Sequence, residues 1–169
     1  MSSALLRSSI ARTAVRTPRF APCRTFITLK DEIYIAKATS QGAGRNGQVA
    51  SEGAPDAPPL SLKMATPKAM GGRGDGHNPE QLFAMGYASC FLGALQLAAS
   101  RAGQKAVGDR AKIHASVVLG HPSDRDGFGL KVHLSVEGVE DESLLVAAHD
   151  MCPYSRALAH GVEVSVSKA

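Results

Sequence analysis

The sequence has no tryptophan, only three cysteines and few aromatic residues, 5% in all. An odd, sparse set of cysteines excludes a secreted disulfide scaffold as the basis of stability. No CxxC pair occurs, so thioredoxin-like and zinc readings are weak. The histidines are scattered, with His77, His121 and His160 in expected loops and His114 and His133 on expected strands. No HxxxH or His/Cys cluster is present, and no metal is assigned. No uninterrupted apolar run reaches ~18 residues, so no membrane span is expected. Internal repeats are lacking too. What remains is 169 residues with 44% apolar and 20% charged side chains, a globular composition. One domain of this size can bury roughly 70% of its unfolded surface.

The net charge of +4 does not belong to that domain. Residues 1–26 carry Arg7, Arg12, Arg16, Arg19 and Arg24 and no acid, and without them 14 basic residues face 15 acidic ones, a net charge of −1. The domain therefore offers no basic stripe for nucleic acid. The tail is rich in Ser, Ala and Arg, and Leu5, Leu6 and Ile10 can share one helical face. That is the composition of a mitochondrial transit peptide, with the mitochondrial matrix as the address. Arg24-Thr25-Phe26 resembles a matrix-protease signal that would leave Ile27 as the new N-terminus and remove Cys23. The expected division is thus a transit peptide at 1–26 and a single domain at 27–169.

Within the domain, Ile33 and Ile35 alternate with neighbours as in a strand. Gly42 to Gly47 has turn chemistry, and residues 48–51 return antiparallel. Leu60, Leu62 and Met64 predict a third strand after a Pro-rich loop. At Asn78 the period changes: Asn78 is a good N-cap, Pro79 suits the first helical position, and Gln81 sits at the capping-box position. A helix can run to about Arg101, ended by Ala102-Gly103. Its centre is apolar nearly all round, which predicts burial on most sides. Residues 112–120 and 128–137 alternate as strands around a turn at 121–127. Glu140, Asp141 and Glu142 open a helix that Cys152-Pro153 breaks. A short helical turn runs through Leu158, and Val162, Val164 and Val166 predict a closing strand. Strands followed by helices give the α+β class.

Cys90 lies mid-helix and Cys152 precedes a new helical turn. A lone buried cysteine is most often a small hydrophobe, whereas a thiol at a helix N-terminus gains thiolate character. The residue types leave both readings open. The stretch from Asn78 through Cys90 to Phe91 resembles the first cysteine motif of the organic hydroperoxide resistance proteins, the Ohr branch of the OsmC/Ohr superfamily. Cys152-Pro153-Tyr154-Ser155 resembles the second motif. Thr39 to Gly47 is similar to the Gly-Gly-Arg turn of that branch, and Gly127 to Leu130 to a further stretch. The resemblance spans residues 33–166.

The resemblance implies an OsmC/Ohr-like fold, with antiparallel sheets around a long central helix in an intertwined dimer. It also implies a thiol peroxidase without a resident cofactor. Cys90 would be the peroxidatic thiol, Cys152 the resolving thiol, Arg45 the activating cation and Glu80 its carboxylate partner. A buried thiolate requires such a cation, arginine keeps its proton, and a carboxylate can hold its planar fork. Organic hydroperoxides would be the substrates, bound by Phe83, Tyr87, Phe128 and Tyr154, with Phe91 also near the thiol. Dihydrolipoyl groups of lipoylated proteins would be the external reductant. A redox sensor relaying a Cys90–Cys152 disulfide is the alternative. An unbroken helix separates Glu80 from Cys90 by ~15 Å at ~1.5 Å per residue. Antiparallel pairing about Met85-Gly86 would carry Glu80 of one chain towards Cys90 of another, which predicts a C2 homodimer.

Overall fold

The computed structural model describes residues 27–53 and 58–168. The transit-peptide reading falls on residues outside that set, as does most of the Pro-rich loop. Three short antiparallel strands come first: β1 (Ala38–Gln41), β2 (Gln48–Ser51) and β3 (Ser61–Lys63), in the order β1-β2-β3. The turn between β1 and β2 contains one 3-10 turn, Gly44–Asn46. Gly47 within it stands where an added Cβ would lie 2.2 Å from the Gln41 carbonyl oxygen, so only glycine fits without displacing the backbone.

Helix α1 (Pro79–Arg101) begins as its sequence predicts. The Asn78 side chain accepts from the Gln81 backbone N–H at 2.9 Å, and the Gln81 side chain accepts from the Asn78 N–H at 3.1 Å. This reciprocal cap satisfies two donors that a helix start leaves free. A helix absent from the sequence reading, α2 (Lys105–Arg110), follows the Gly103 turn. The hairpin β4 (Lys112–Gly120) and β5 (Gly129–Glu137) pairs in unbroken register from Lys112↔Glu137 to Gly120↔Gly129. Helices α3 (Glu142–Met151) and α4 (Pro153–His160) complete the order. The core joins Tyr87, Phe91, Leu95 and Ala99 of α1 to Leu144, Ala148 and Cys152. Strand β4 also packs on α1.

Three expectations are corrected. Residues 33–37 form no strand: pairing starts at Ala38, and Ile33 is 93% exposed. Residues 162–167 form no strand either; Val162 makes one parallel bridge to Ile27, and Val166 is 94% exposed. Alternation fixes the faces of a segment but supplies no neighbouring edge to pair with, and the described residues offer none at these places. Nor is α1 buried on most sides. Its core contacts run along one face, while Met85 is 65% exposed and Leu97 also faces out. Among the described residues α1 is the one helix long and apolar enough to cross a bilayer by composition. Its packing against β4, α2, α3 and α4 makes it the core helix of this fold.

Candidate active site

Four of the expected residues form two pairs. Arg45 sits in the 3-10 turn between β1 and β2, where Gly42 and Gly44 take positive φ angles of 88° and 57°. Asn46 ties that turn down by accepting the Thr66 backbone N–H at 2.9 Å. The Arg45 Nη2 donates to Glu80 Oε2 in a partly buried ion pair. Glu80 lies in the first turn of α1, where the helix dipole favours a carboxylate. The Arg45 Nε is buried and has no hydrogen-bond partner among the described residues.

The second pair is Cys90 and Cys152. Their sulfurs lie 3.4 Å apart, and both thiols are free. A disulfide needs about 2.05 Å, so closure takes a movement of about 1.4 Å. Cys152 is fully buried where α3 ends and α4 begins; its N–H donates to Ala148 and its carbonyl accepts from Arg156. Cys90 is half-buried on α1. Burial pushes the Cys90 thiol above its ordinary range, a backbone hydrogen bond from Tyr154 works the other way, and the second sulfur adds to the rise. Pro153 at the head of α4 has no N–H, so the Tyr154 amide is the first donor this helix can offer.

The aromatic residues divide between the two pairs. Phe83, Tyr87 and Tyr154 form a triangle with centroids 5.8–5.9 Å apart, beside Cys90. Gly86 makes room for Tyr154: an added Cβ would stand 3.2 Å from its hydroxyl. Phe128 is elsewhere. It precedes the first ladder pair of β5, stacks on His121 at 5.2 Å, and lines a groove of about 550 Å³ with Glu80, Met70 and Leu119. The other expected neighbour of the thiol, Phe91, points into the core. One buried polar contact is not legible in the sequence. The Tyr87 hydroxyl meets the Ser155 hydroxyl at 2.9 Å, and its only sequence signal is that each residue lies three positions from a cysteine.

The two pairs are not adjacent within the chain's own helix. Helix α1 runs unbroken through Gly86, so Glu80 and Cys90 differ by ~15 Å of rise and by ~80° in direction, at ~1.5 Å and ~100° per residue. A guanidinium must come within ~4–6 Å of a thiol to favour its anion. Among the described residues no group of three His, Cys, Asp or Glu side chains is arranged to hold a metal.

A family model described as OsmC-like protein matches residues 72–167. The organic hydroperoxide resistance protein of Xanthomonas axonopodis pv. citri is 37% identical over 141 residues, covering 81% of this chain and 95% of that protein. The organic hydroperoxide resistance protein OhrB of Bacillus subtilis is 34% identical over 139 residues, covering 79% and 96%. Its crystal structure superposes with a TM-score of 0.64 at 35% identity, covering 78% of this chain and 96% of that one. A Vibrio cholerae structure described as a putative organic hydroperoxide resistance protein, with captopril in one of its active sites, gives 0.67 at 40% identity over 80% and 92%. With more than half of its length matched by the family model and with relatives of this similarity, the chain belongs to the OsmC/Ohr family.

Proposed function

We propose that this protein is a thiol peroxidase that reduces organic hydroperoxides to alcohols. The observation that carries the reading is the Cys90–Cys152 pair at 3.4 Å, one sulfur half-exposed beside three aromatic rings and the other buried behind it. The names of the relatives support it. The Cys90 thiolate attacks the distal peroxide oxygen. The O–O bond breaks, the alkoxide takes a proton and leaves as the alcohol, and Cys90 becomes a sulfenic acid. Cys152 then attacks the Cys90 sulfur, an S–S bond forms, and water departs with the Cys152 proton. An external dithiol, for which dihydrolipoyl groups of lipoylated proteins are the proposed source, restores both thiols.

Burial alone leaves Cys90 a poor nucleophile at neutral pH, so the reading requires a cation. Arg45, held by Glu80, is the proposed one, delivered by a second copy of the chain in a C2 homodimer. The uncovered face of α1, the exposed apolar segments at 33–37 and 162–167, and the groove beside Glu80 support that assembly. Antiparallel α1 helices would join Phe128 and Glu80 of one copy to the aromatic triangle of the other. An apolar wall gains ~25 cal/mol per Å² of ligand surface removed from water, which favours alkyl, aryl and fatty-acid hydroperoxides over hydrogen peroxide. The composition of residues 1–26 supports import into the mitochondrial matrix, where lipoylated complexes reside.

The test is steady-state turnover of the form starting at Ile27, comparing cumene hydroperoxide with hydrogen peroxide and dihydrolipoamide with glutathione and thioredoxin. The expected result is faster turnover with the bulky peroxide and dihydrolipoamide, abolished in Cys90→Ser. Full turnover in Cys90→Ser sinks the reading. Faster turnover with glutathione or thioredoxin removes the lipoyl claim alone, and a disulfide formed without sustained turnover on any dithiol selects the redox-sensor alternative.

A further inference from the structure

The peroxidase reading leaves the Tyr87–Ser155 hydrogen bond without a task. Tyr87 is 3% exposed and Ser155 1%, and Ser155 is the one buried polar side chain of the core among the described residues. A hydroxyl at that depth is costly to leave without a partner, so each group depends on the other. Their positions relate them to the thiols. Tyr87 precedes Cys90 by three residues on α1, and Ser155 follows Cys152 by three on α4. Residues three apart on a helix lie on one face ~5–6 Å apart, and an N-cap such as Cys152 lies beside the third helical residue, here Ser155. The hydroxyl contact and the sulfur contact therefore link the same two elements side by side, about one helical turn from each other.

Little else fixes the head of α4. Its N-cap, Cys152, makes no side-chain cap bond. Besides the Tyr154 amide's bond to the Cys90 sulfur, its contacts with α1 include the Tyr154 ring lying over Gly86 and against Phe83 and Tyr87. Stacked rings resist separation but slide easily, whereas a hydrogen bond fixes register within a few tenths of an ångström.

We infer that Tyr87 and Ser155 are positioning residues for the Cys90–Cys152 couple: their hydrogen bond holds the head of α4 in register with α1, so that Cys152 closes on oxidised Cys90. The inference rests on the peroxidase reading for its role in turnover but not for its chemistry. Closure forms the S–S bond and breaks S–O, releasing water. The competing step spends a second hydroperoxide, which converts the sulfenic acid to sulfinic acid and leaves as the alcohol. A head of α4 out of register slows the first and leaves time for the second.

The primary test is a redox equilibrium with dithiothreitol, read as the fraction of Cys90–Cys152 disulfide by mass spectrometry. Tyr87→Phe keeps the ring and Ser155→Ala keeps the backbone, and each is checked for native near-ultraviolet dichroism. Each is expected to make the disulfide roughly tenfold easier to reduce, the scale of one buried hydrogen bond. The double variant is expected to be no worse than either single one, because the second change finds the bond already gone. With excess hydroperoxide, Ser155→Ala is expected to accumulate Cys90 sulfinic acid several-fold faster than the parent. Parental equilibrium constants in both single variants, or effects that add in the double variant, overturn the inference. A parent that does not turn over peroxide removes the reading under Proposed function and leaves this equilibrium test standing.

Discussion

If Arg45 serves the Cys90 of a partner, two inactive chains can make one active molecule. Cys90→Ser lacks the nucleophile and Arg45→Gln lacks the cation. An opposite charge beside an ionisable group shifts its pKa by ~1–3 units. Without it, Cys90 keeps only the upward push of burial, so Arg45→Gln should lose ~10–1000-fold in rate near neutral pH through thiolate fraction alone. Co-expression with two different tags allows the mixed dimer to be purified. One of its two sites then combines an intact Cys90 from one chain with an intact Arg45 from the other. Its expected activity is about half that of the parent, against near-background values for both parental homodimers. The structure sets this expectation through the unbroken α1, which places Glu80, the partner of Arg45, ~15 Å of rise from the Cys90 of the same chain. A mixed dimer at background, with each chain shown to be folded, would refute the reasoning, because it means that Arg45 reaches its own Cys90.

Four further outcomes are expected. Gly47→Ala places a Cβ 2.2 Å from the Gln41 oxygen, and relieving that contact disturbs the turn and its bond from Met64 N–H to Gly47; urea denaturation should show a loss of ~1–3 kcal/mol. Cys152→Ser should attack one equivalent of peroxide and then drift to sulfinic acid, read as a mass increase on the Cys90 peptide. Phe83→Ala should lower kcat/KM for cumene hydroperoxide about tenfold with little change for hydrogen peroxide, measured in paired assays. For pH, the raised Cys90 thiol means that the folded chain resists losing a proton the unfolded chain gives up. That contribution is fully present below the ordinary thiol value of 9.0 and is lost as pH rises through the folded value. Denaturation of a dilute, dissociated sample should therefore weaken more steeply above pH 9 in the parent than in Cys90→Ser.

The legible parts of the chain were those governed by local rules. The cap at Asn78 and Gln81, the start and end of α1, and the limits of β4 follow from side chains within a few residues of one another. The two cysteines and the Arg45–Glu80 pair were legible through motif resemblance, and the structure joins each pair by contact. What was not legible depends on what lies across from a residue. Ile33 and Val166 have strand alternation but, among the described residues, no edge to pair with. Phe128 alternates with its neighbours yet falls outside the β5 ladder and stacks on His121. The apolar girth of α1 suggested burial all round because composition cannot say whether the covering surface belongs to the same chain.

If the proposed disulfide forms, the complete burial of Cys152 also decides the regiochemistry of its reduction. A disulfide between Cys90 and Cys152 has two electrophilic sulfurs, and an incoming thiolate strikes the one it can reach along the S–S axis. Cys152 is shut in at the joint between α3 and α4, while Cys90 keeps an open flank. Under the proposed function the mixed disulfide would then form on Cys90, with Cys152 as the leaving group that departs into the protein rather than into solvent. Under the proposed function the same sulfur would then receive both the oxidant and the reductant.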